Sequence, residues 1–127
     1  MRVLLDTHVL FWWFEDATKL SKRAANIISN AENSLLISAA SAWELAIKAN
    51  LGKLDAIPLV MTLDPQIAEA GFEALSISLE QAMRAGLLPV HHRDPFDRLL
   101  VAQAQDLNLP IMSSDAGLDR YDVKRLW

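Results

Sequence analysis

The sequence contains no cysteine among its 127 residues. Disulfides, thiolate metal ligands and a cysteine nucleophile are therefore excluded. No apolar run approaches the roughly 20 residues that a membrane-spanning helix needs. The polar residues Asp6 and His8 interrupt the N-terminal apolar stretch too early for a signal peptide. We expect a soluble, cytoplasmic protein that does not interact with membranes.

Positive charge is also scarce, because 12 Lys and Arg face 16 Asp and Glu, for a net charge of −4. Proteins that bind nucleic acid mainly through charge are usually basic, so a purely electrostatic binder is disfavoured. Clustered acids that hold cations would create a local potential that the net charge understates. Half of the residues are apolar, which suffices for one core, and we expect residues 1–127 to form a single domain.

Predicted strands and helices alternate along the chain. Strands are expected at residues 2–5, 35–37, 74–77, 110–113 and 123–126. Helices are expected at residues 8–14, from the cap Ser21 through residue 31, and from the cap Ser41 to about residue 50. Another helical stretch begins at Pro58 and is broken or restarted at Pro65. The last two helices run from the cap Ser78 to about residue 86 and from Asp94-Pro95 to about residue 107. This alternation predicts an α/β fold with three layers, α/β/α, around a mostly parallel sheet of about five strands.

Four acidic residues are expected at one edge of that sheet. Asp6 follows the first strand and Asp115 the fourth, whereas Glu44 and Asp97 lie in the first turns of helices. Because ligands of an open parallel sheet bind beyond the carboxyl ends of its strands, we expect these side chains to meet there. Clustered carboxylates raise one another's pKa unless cations intervene. Mg²⁺ or Mn²⁺, which prefer oxygen ligands, is therefore the expected cofactor.

Each acid also has a structural explanation. Glu44 fits a capping box with Ser41, Asp97 suits the positive end of a helix dipole, and Asp115 suits the start of a turn. Asp6 is the exception, because a carboxylate directly after an apolar strand needs a partner. A functional role is favoured there.

Histidine and basic residues near this edge are open to more than one interpretation. His8 either contacts the site or is a hydrogen-bonded structural side chain, whereas solvent-facing positions are favoured for His91 and His92. The histidine spacing matches no zinc motif. Arg98 either reaches a phosphate, pairs with an acid or lies on solvated surface. The remaining basic residues are expected on solvated surface: Lys48, Arg93 and Arg120.

Five segments carry a family resemblance. They are residues 5–8 (LDTH), 41–48 (SAWELAIK), 52–54 (GKL), 93–104 (RDPFDRLLVAQA) and 113–115 (SSD). In order and spacing they resemble the PIN-domain family and, more narrowly, the VapC-type toxins of bacterial toxin–antitoxin pairs. The resemblance covers essentially the whole chain, and the Asp-Pro-Phe-Asp-Arg block is its most characteristic part.

The resemblance implies a metal-dependent endoribonuclease with a three-layer α/β/α fold. It assigns the acid quartet to Asp6, Glu44, Asp97 and Asp115, with the Thr7 hydroxyl as support. It leaves open whether Asp94 supports the site or only caps a helix. It also implies a cognate antitoxin and frequent homodimers. Trp12 and Trp13 offer aromatic surface for such an interface, although core packing is favoured for each.

The expected reaction is the hydrolysis of an RNA phosphodiester. Asp6, Glu44 and Asp97 would hold one metal ion, and Asp115 would assist that ion or a second. A receiver-like, Mg²⁺-binding signalling module is an alternative, although it normally has paired acids after its first strand and an Asp after a middle strand. A haloacid-dehalogenase-type phosphatase ranks low, since no second Asp follows Asp6 at position 8. A non-catalytic PIN-like binding domain is the third alternative.

Overall fold

The computed structural model describes the whole chain, Met1–Trp127. The five strands are β1 (Arg2–Leu5), β2 (Ser34–Ser38), β3 (Glu73–Leu75), β4 (Ile111–Met112) and β5 (Arg125–Leu126). The seven α-helices are α1 (Thr7–Glu15), α2 (Lys22–Ser29), α3 (Ala39–Asn50), α4 (Ile57–Met61), α5 (Leu63–Glu69), α6 (Leu79–Leu87) and α7 (Pro95–Leu107). Short 3₁₀ helices cover Ala17–Lys19 and Ala116–Arg120. None of the helices has the length and apolar character to cross a membrane.

The strands form one sheet in the order β3-β2-β1-β4-β5, and every neighbouring pair is parallel. The predicted mostly parallel sheet of about five strands is therefore confirmed. Receiver-like domains have the flavodoxin-like order 2-1-3-4-5. The receiver-like alternative is wrong, because here the chain places β2 and β3 on the same side of β1.

Helices cover both faces of the sheet. Along β1 the side chains alternate, so that Val3 and Leu5 enter one core and Leu4 enters the other. The first core draws on α1, α2, α4 and α5, whereas α6 and α7 contribute to the second. The predicted three-layer α/β/α architecture is thus confirmed.

Helix α7 begins as its sequence predicts. Asp94 is the N-cap, with its Oδ1 accepting from the backbone N–H groups of Phe96 at 2.8 Å and Asp97 at 3.3 Å. Pro95 occupies the first helical position, where its missing N–H costs nothing. The helix ends at Asn108, whose φ of 53° lies in the left-handed region that such C-terminal residues adopt.

Helix α3 begins earlier than the sequence predicts. Its N-cap is Ser38, the last residue of β2, whose Oγ accepts from the N–H of Ala40 at 3.0 Å. The predicted capping box between Ser41 and Glu44 is wrong, because the chain turns directly from the strand into the helix. Glu44 therefore lies in the second turn, and its carboxylate is not used for capping.

Trp12 and Trp13 are partly buried and pack against the first core. The Trp12 ring lies 6.0 Å from that of Trp127, and the Trp13 ring lies 6.3 Å from that of Phe72. These contacts agree with the core packing favoured from sequence.

Candidate metal centre

Asp6 is a buried carboxylate with both oxygens occupied by donors. It is the N-cap of α1, where its Oδ1 accepts from the N–H groups of His8 at 2.8 Å and Val9 at 3.3 Å. Its Oδ2 accepts from the Ser113 hydroxyl at 2.5 Å. Burial raises the pKa of Asp6, although these hydrogen bonds and the charge of His8 act in the opposite direction. The carboxylate is thus held in one orientation at the end of β1.

Glu44 is buried beside Lys48, one turn later on α3. Only 3% of Glu44 is exposed, and the Lys48 ammonium lies 2.8 Å from its Oε2. The prediction of a solvated Lys48 is therefore wrong, because a buried carboxylate needs a partner charge. The ion pair fixes the Glu44 side chain and partly offsets its charge.

Thr7 and Ser41 connect the helices that carry these two acids. The Thr7 hydroxyl is buried and donates to Ser41 Oγ at 3.0 Å, which ties α1 to α3. The hydroxyl makes no hydrogen bond to an acid of the predicted quartet. Thr7 therefore supports the site indirectly, by holding α1 against α3.

Asp97 lies close to three other carboxylates, those of Asp94, Asp6 and Glu44. The pKa of Asp97 is raised to about 7, mainly by burial and then by the charges of Asp94, Asp6 and Glu44, whereas His92 acts in the opposite direction. The structure therefore brings Asp6, Glu44 and Asp97 within electrostatic reach of one another, although they are scattered in the sequence. Without a cation, Asp97 is about half protonated at neutral pH.

Asp115 is joined to the site through His92. The His92 Nε2 lies 2.8 Å from Asp115 Oδ2 and 3.9 Å from Asp97 Oδ2. These three residues can each offer a ligand atom, with all three atoms within 4.8 Å of one another. The prediction that His92 faces solvent is wrong, because its backbone N–H donates to Tyr121 Oη and turns the loop inward.

The hydrogen bond between His92 and Asp115 shifts both of their pKa values. It is the main reason that the pKa of His92 is raised. Desolvation raises the pKa of Asp115, but the hydrogen bonds from His92 and the Gly117 N–H outweigh this effect and lower the pKa. The contact thus favours the protonated form of His92 and the ionised form of Asp115, at the rim of the acid cluster.

Ser113 and Gly117 are site residues that sequence reasoning missed. The buried Ser113 Oγ donates to Asp6 and accepts from the Asp115 N–H at 3.0 Å, so one side chain orients two acids. A Cβ on Gly117 would lie 2.6 Å from His92 Cε1 and 3.0 Å from Asp115 Oδ1. The available signal was a polar residue directly after β4 and a glycine two residues after Asp115.

Asp94 and Arg98 have structural contacts. Asp94 is exposed and caps α7, while its charge raises the pKa of Asp97. Arg98 neither pairs with an acid nor projects onto solvated surface. Its guanidinium donates to four backbone carbonyls in the preceding segment, those of Gly86, Leu88, Pro89 and His92. Arg98 thereby holds the segment that carries His92.

The other residues expected near this edge are exposed. His8 reaches Asp6 only through its backbone N–H, and the His91 ring packs 5.0 Å from that of Tyr121. Arg93 and Arg120 are exposed, as predicted.

The donor set fits a divalent cation. Asp6, Glu44 and Asp97 supply carboxylate oxygens, the ligands that hard cations prefer, and Asp115 with His92 lies beside them. The charges of Asp6 and Glu44 repel that of Asp97 and contribute to its raised pKa. A bound cation would relieve this repulsion.

Comparison with known proteins agrees with this geometry. The family model described as PIN domain matches residues 3–124. The chain is 35% identical over 118 residues to Ribonuclease VapC22 of Mycobacterium tuberculosis, which covers 91% of this chain and 88% of the relative.

Solved structures with the same fold cover almost the whole chain. VapBC2 from Rickettsia felis, bound to a DNA fragment from its promoter, gives a TM-score of 0.72 at 16% identity, covering 99% of this chain and 98% of that one. VapBC-1 from nontypeable Haemophilus influenzae gives 0.69 at 16% identity, with coverages of 99% and 97%. FitAcB from Neisseria gonorrhoeae gives 0.67 at 17% identity, with coverages of 98% and 96%. At these identities the likeness concerns the fold.

Proposed function

Because the chain belongs to the PIN-domain family, we propose that it is a metal-dependent endoribonuclease whose residues 1–127 form one catalytic domain. The observation that carries this proposal is the gathering of Asp6 and Glu44 around the partly buried Asp97 carboxylate, close enough for their charges to raise its pKa. A bound cation would relieve that repulsion. The 35% identical relative is named a ribonuclease, which supports RNA as the substrate.

Asp6, Glu44 and Asp97 would hold the ion, with Asp115 assisting. When bound, Mg²⁺ or Mn²⁺ lowers the pKa of a water molecule and offsets charge on the scissile phosphate. Ser113 keeps the Asp6 carboxylate aimed into the centre, and Lys48 keeps Glu44 in place. These contacts preorganise the ligands, so little reorganisation is needed when RNA arrives.

Hydrolysis adds water across one P–O bond of the RNA backbone. A new P–O bond forms to the water oxygen, the bond to the ribose oxygen breaks, and that ribose oxygen takes up a proton. His92 is a candidate to supply this proton, since it lies at the rim of the cluster and its raised pKa favours the protonated imidazole. Asp115 holds the imidazole by accepting from Nε2.

We further propose that the chain is the toxin of a toxin–antitoxin pair and forms a homodimer. The names of the relative and of the solved VapBC neighbours support an antitoxin partner. An exposed apolar stripe on α6 provides surface that a partner covers: Leu79, Met83 and Leu87. Light scattering after gel filtration tests the homodimer, and co-expression with the adjacent reading frame tests the antitoxin.

The test of the activity is incubation with total RNA in Mg²⁺, Mn²⁺ or EDTA, followed by mapping of the cut ends. Asp6→Asn is expected to abolish cleavage while its circular dichroism spectrum stays unchanged. Asp94→Asn is the matched control, because asparagine also caps helices well and the change removes the same charge. The proposal fails if the wild type leaves RNA intact in every metal, as a non-catalytic binding domain would.

A further inference from the structure

Trp43 is an exposed aromatic residue on α3, one position before the site acid Glu44. It is 59% exposed, whereas the other tryptophans of the chain are partly buried. Its ring belongs to neither hydrophobic core. Trp43 directly precedes Glu44 on α3, so the Cα atoms of the two residues are about 3.8 Å apart. A large apolar surface is therefore presented to solvent one residue before a site acid in the chain.

Phe96 holds this indole from the neighbouring helix. The two ring centroids are 5.1 Å apart and the ring planes make an angle of 83°, the edge-to-face arrangement that aromatic pairs prefer. Phe96 directly precedes Asp97 on α7. Each ring is thus the chain neighbour of a site acid, and their contact restricts the orientation of the indole while leaving most of Trp43 open.

Three cations in this region are engaged with protein groups. Lys48 pairs with Glu44, the Arg98 guanidinium binds backbone carbonyls, and Arg125 pairs with Asp119. Arg93 and Arg120 are exposed and remain available to RNA phosphates, but the net charge of the protein is −4. Uncharged contacts therefore add to the affinity for RNA, and the stacking of a base on an aromatic ring is a contact of this kind.

We propose that Trp43 and Phe96 form a stacking platform for an unpaired base next to the scissile phosphate. This inference rests on the proposed ribonuclease function and assigns to Trp43 and Phe96 the contact with a base of its substrate. A base inside a duplex has both faces covered by its neighbours, whereas a base in a loop can be splayed onto a ring. Because every base has an aromatic face, the platform senses the presence of a base rather than its identity.

The test is a double cycle between the ring and the base. Cleavage of an RNA oligonucleotide is compared with cleavage of the same oligonucleotide made abasic at either nucleotide adjoining the mapped cut. We expect loss of the stacked base to lower kcat/KM of the wild type about 10- to 100-fold. Trp43→Ala is expected to lower kcat/KM on intact RNA by a similar factor, with little further loss on the abasic RNA.

Two further variants separate stacking from general damage to the helix. Trp43→Phe keeps an aromatic face and should retain most of the activity and of the base dependence. Leu51→Ala removes a side chain of similar exposure, 61%, at the C-terminal end of the same helix, and should behave as the wild type.

The possible results lead to distinct conclusions. If removal of the base lowers kcat/KM of Trp43→Ala by the same 10- to 100-fold as in the wild type, the ring and the base act independently. The proposed platform is then wrong. The exposed rings would then belong to a surface for a protein partner. If the wild type cleaves neither oligonucleotide, the proposed ribonuclease function itself fails, and this inference falls with it.

Discussion

Ser113 donates a hydrogen bond to the Asp6 carboxylate across 107 positions of the sequence, and both side chains are buried. The bond joins the ends of β1 and β4, neighbouring strands of the sheet. The same hydroxyl accepts from the N–H of Asp115, so this one residue at the end of β4 positions both Asp6 and Asp115.

Ser113→Ala is expected to loosen Asp6. Since it leaves a buried carboxylate oxygen without its donor, we expect the free energy of unfolding to fall by about 1–2 kcal/mol in EDTA. The affinity for Mn²⁺ should fall several-fold, because Asp6 is no longer held in one orientation. Urea denaturation and calorimetric titration measure the two effects. Ser114→Ala, at the exposed neighbouring position, is the control, and equal behaviour of the two variants would refute the role given to Ser113.

The raised pKa of Asp97 predicts how stability depends on pH. The folded, metal-free protein keeps the Asp97 proton up to about pH 7, whereas the unfolded chain releases it near the ordinary value of 3.8. Between these values the folded state binds more protons, so its stability falls as the pH rises.

Asp97→Asn should remove much of this loss. At pH 8 in EDTA we expect the variant to exceed the wild type in free energy of unfolding by about 2 kcal/mol, after allowance for solvent screening of the side chain. Near pH 4 the two proteins should be closely similar. Urea denaturation across this range measures the difference, and parallel stability curves would contradict the environment assigned to Asp97.

Gly117 is expected to control the contact between His92 and Asp115. Gly117→Ala places a Cβ within 2.6 Å of the imidazole, which must then move away. Because the hydrogen bond to Asp115 is the main cause of the raised pKa of His92, that pKa should fall toward its ordinary value. NMR titration of the imidazole protons measures the shift.

Gly86→Ala is the matched control for this change, since nothing lies within 4 Å of the Cβ it would add and its φ is not in the left-handed region. His92→Gln identifies the relevant resonance. An unchanged His92 titration in Gly117→Ala would show that the imidazole does not lie against the glycine.

The parts of the fold that local chemistry determines could be predicted from the sequence. Asp94 followed by Pro95 specifies the start of α7, and the alternation of strands and helices specifies a parallel sheet. That topology also explains why Asp6 and Asp97 could be expected at one edge, although the roles of the acids remain a proposal.

Tertiary contacts account for the residues that sequence reasoning misplaced. His92 meets Asp115 across 23 positions, and no local pattern specifies that contact. Ser41 and Glu44 have the spacing of a capping box, but Ser38 starts the helix first because β2 runs directly into it. Arg98 resembles a phosphate ligand by position, yet nearby backbone carbonyls take all of its hydrogen bonds.

Calorimetric titration of Mn²⁺ into the purified protein at pH 8 tests the shared metal site most directly. We expect the wild type and Asp94→Asn to bind the ion with affinities within a few-fold of each other, because the Asp94 carboxylate caps α7. Asp6→Asn and Asp97→Asn should each lose most of the binding while keeping their fold. Wild-type affinity in Asp97→Asn, or an equal loss in Asp94→Asn, would contradict the proposed centre.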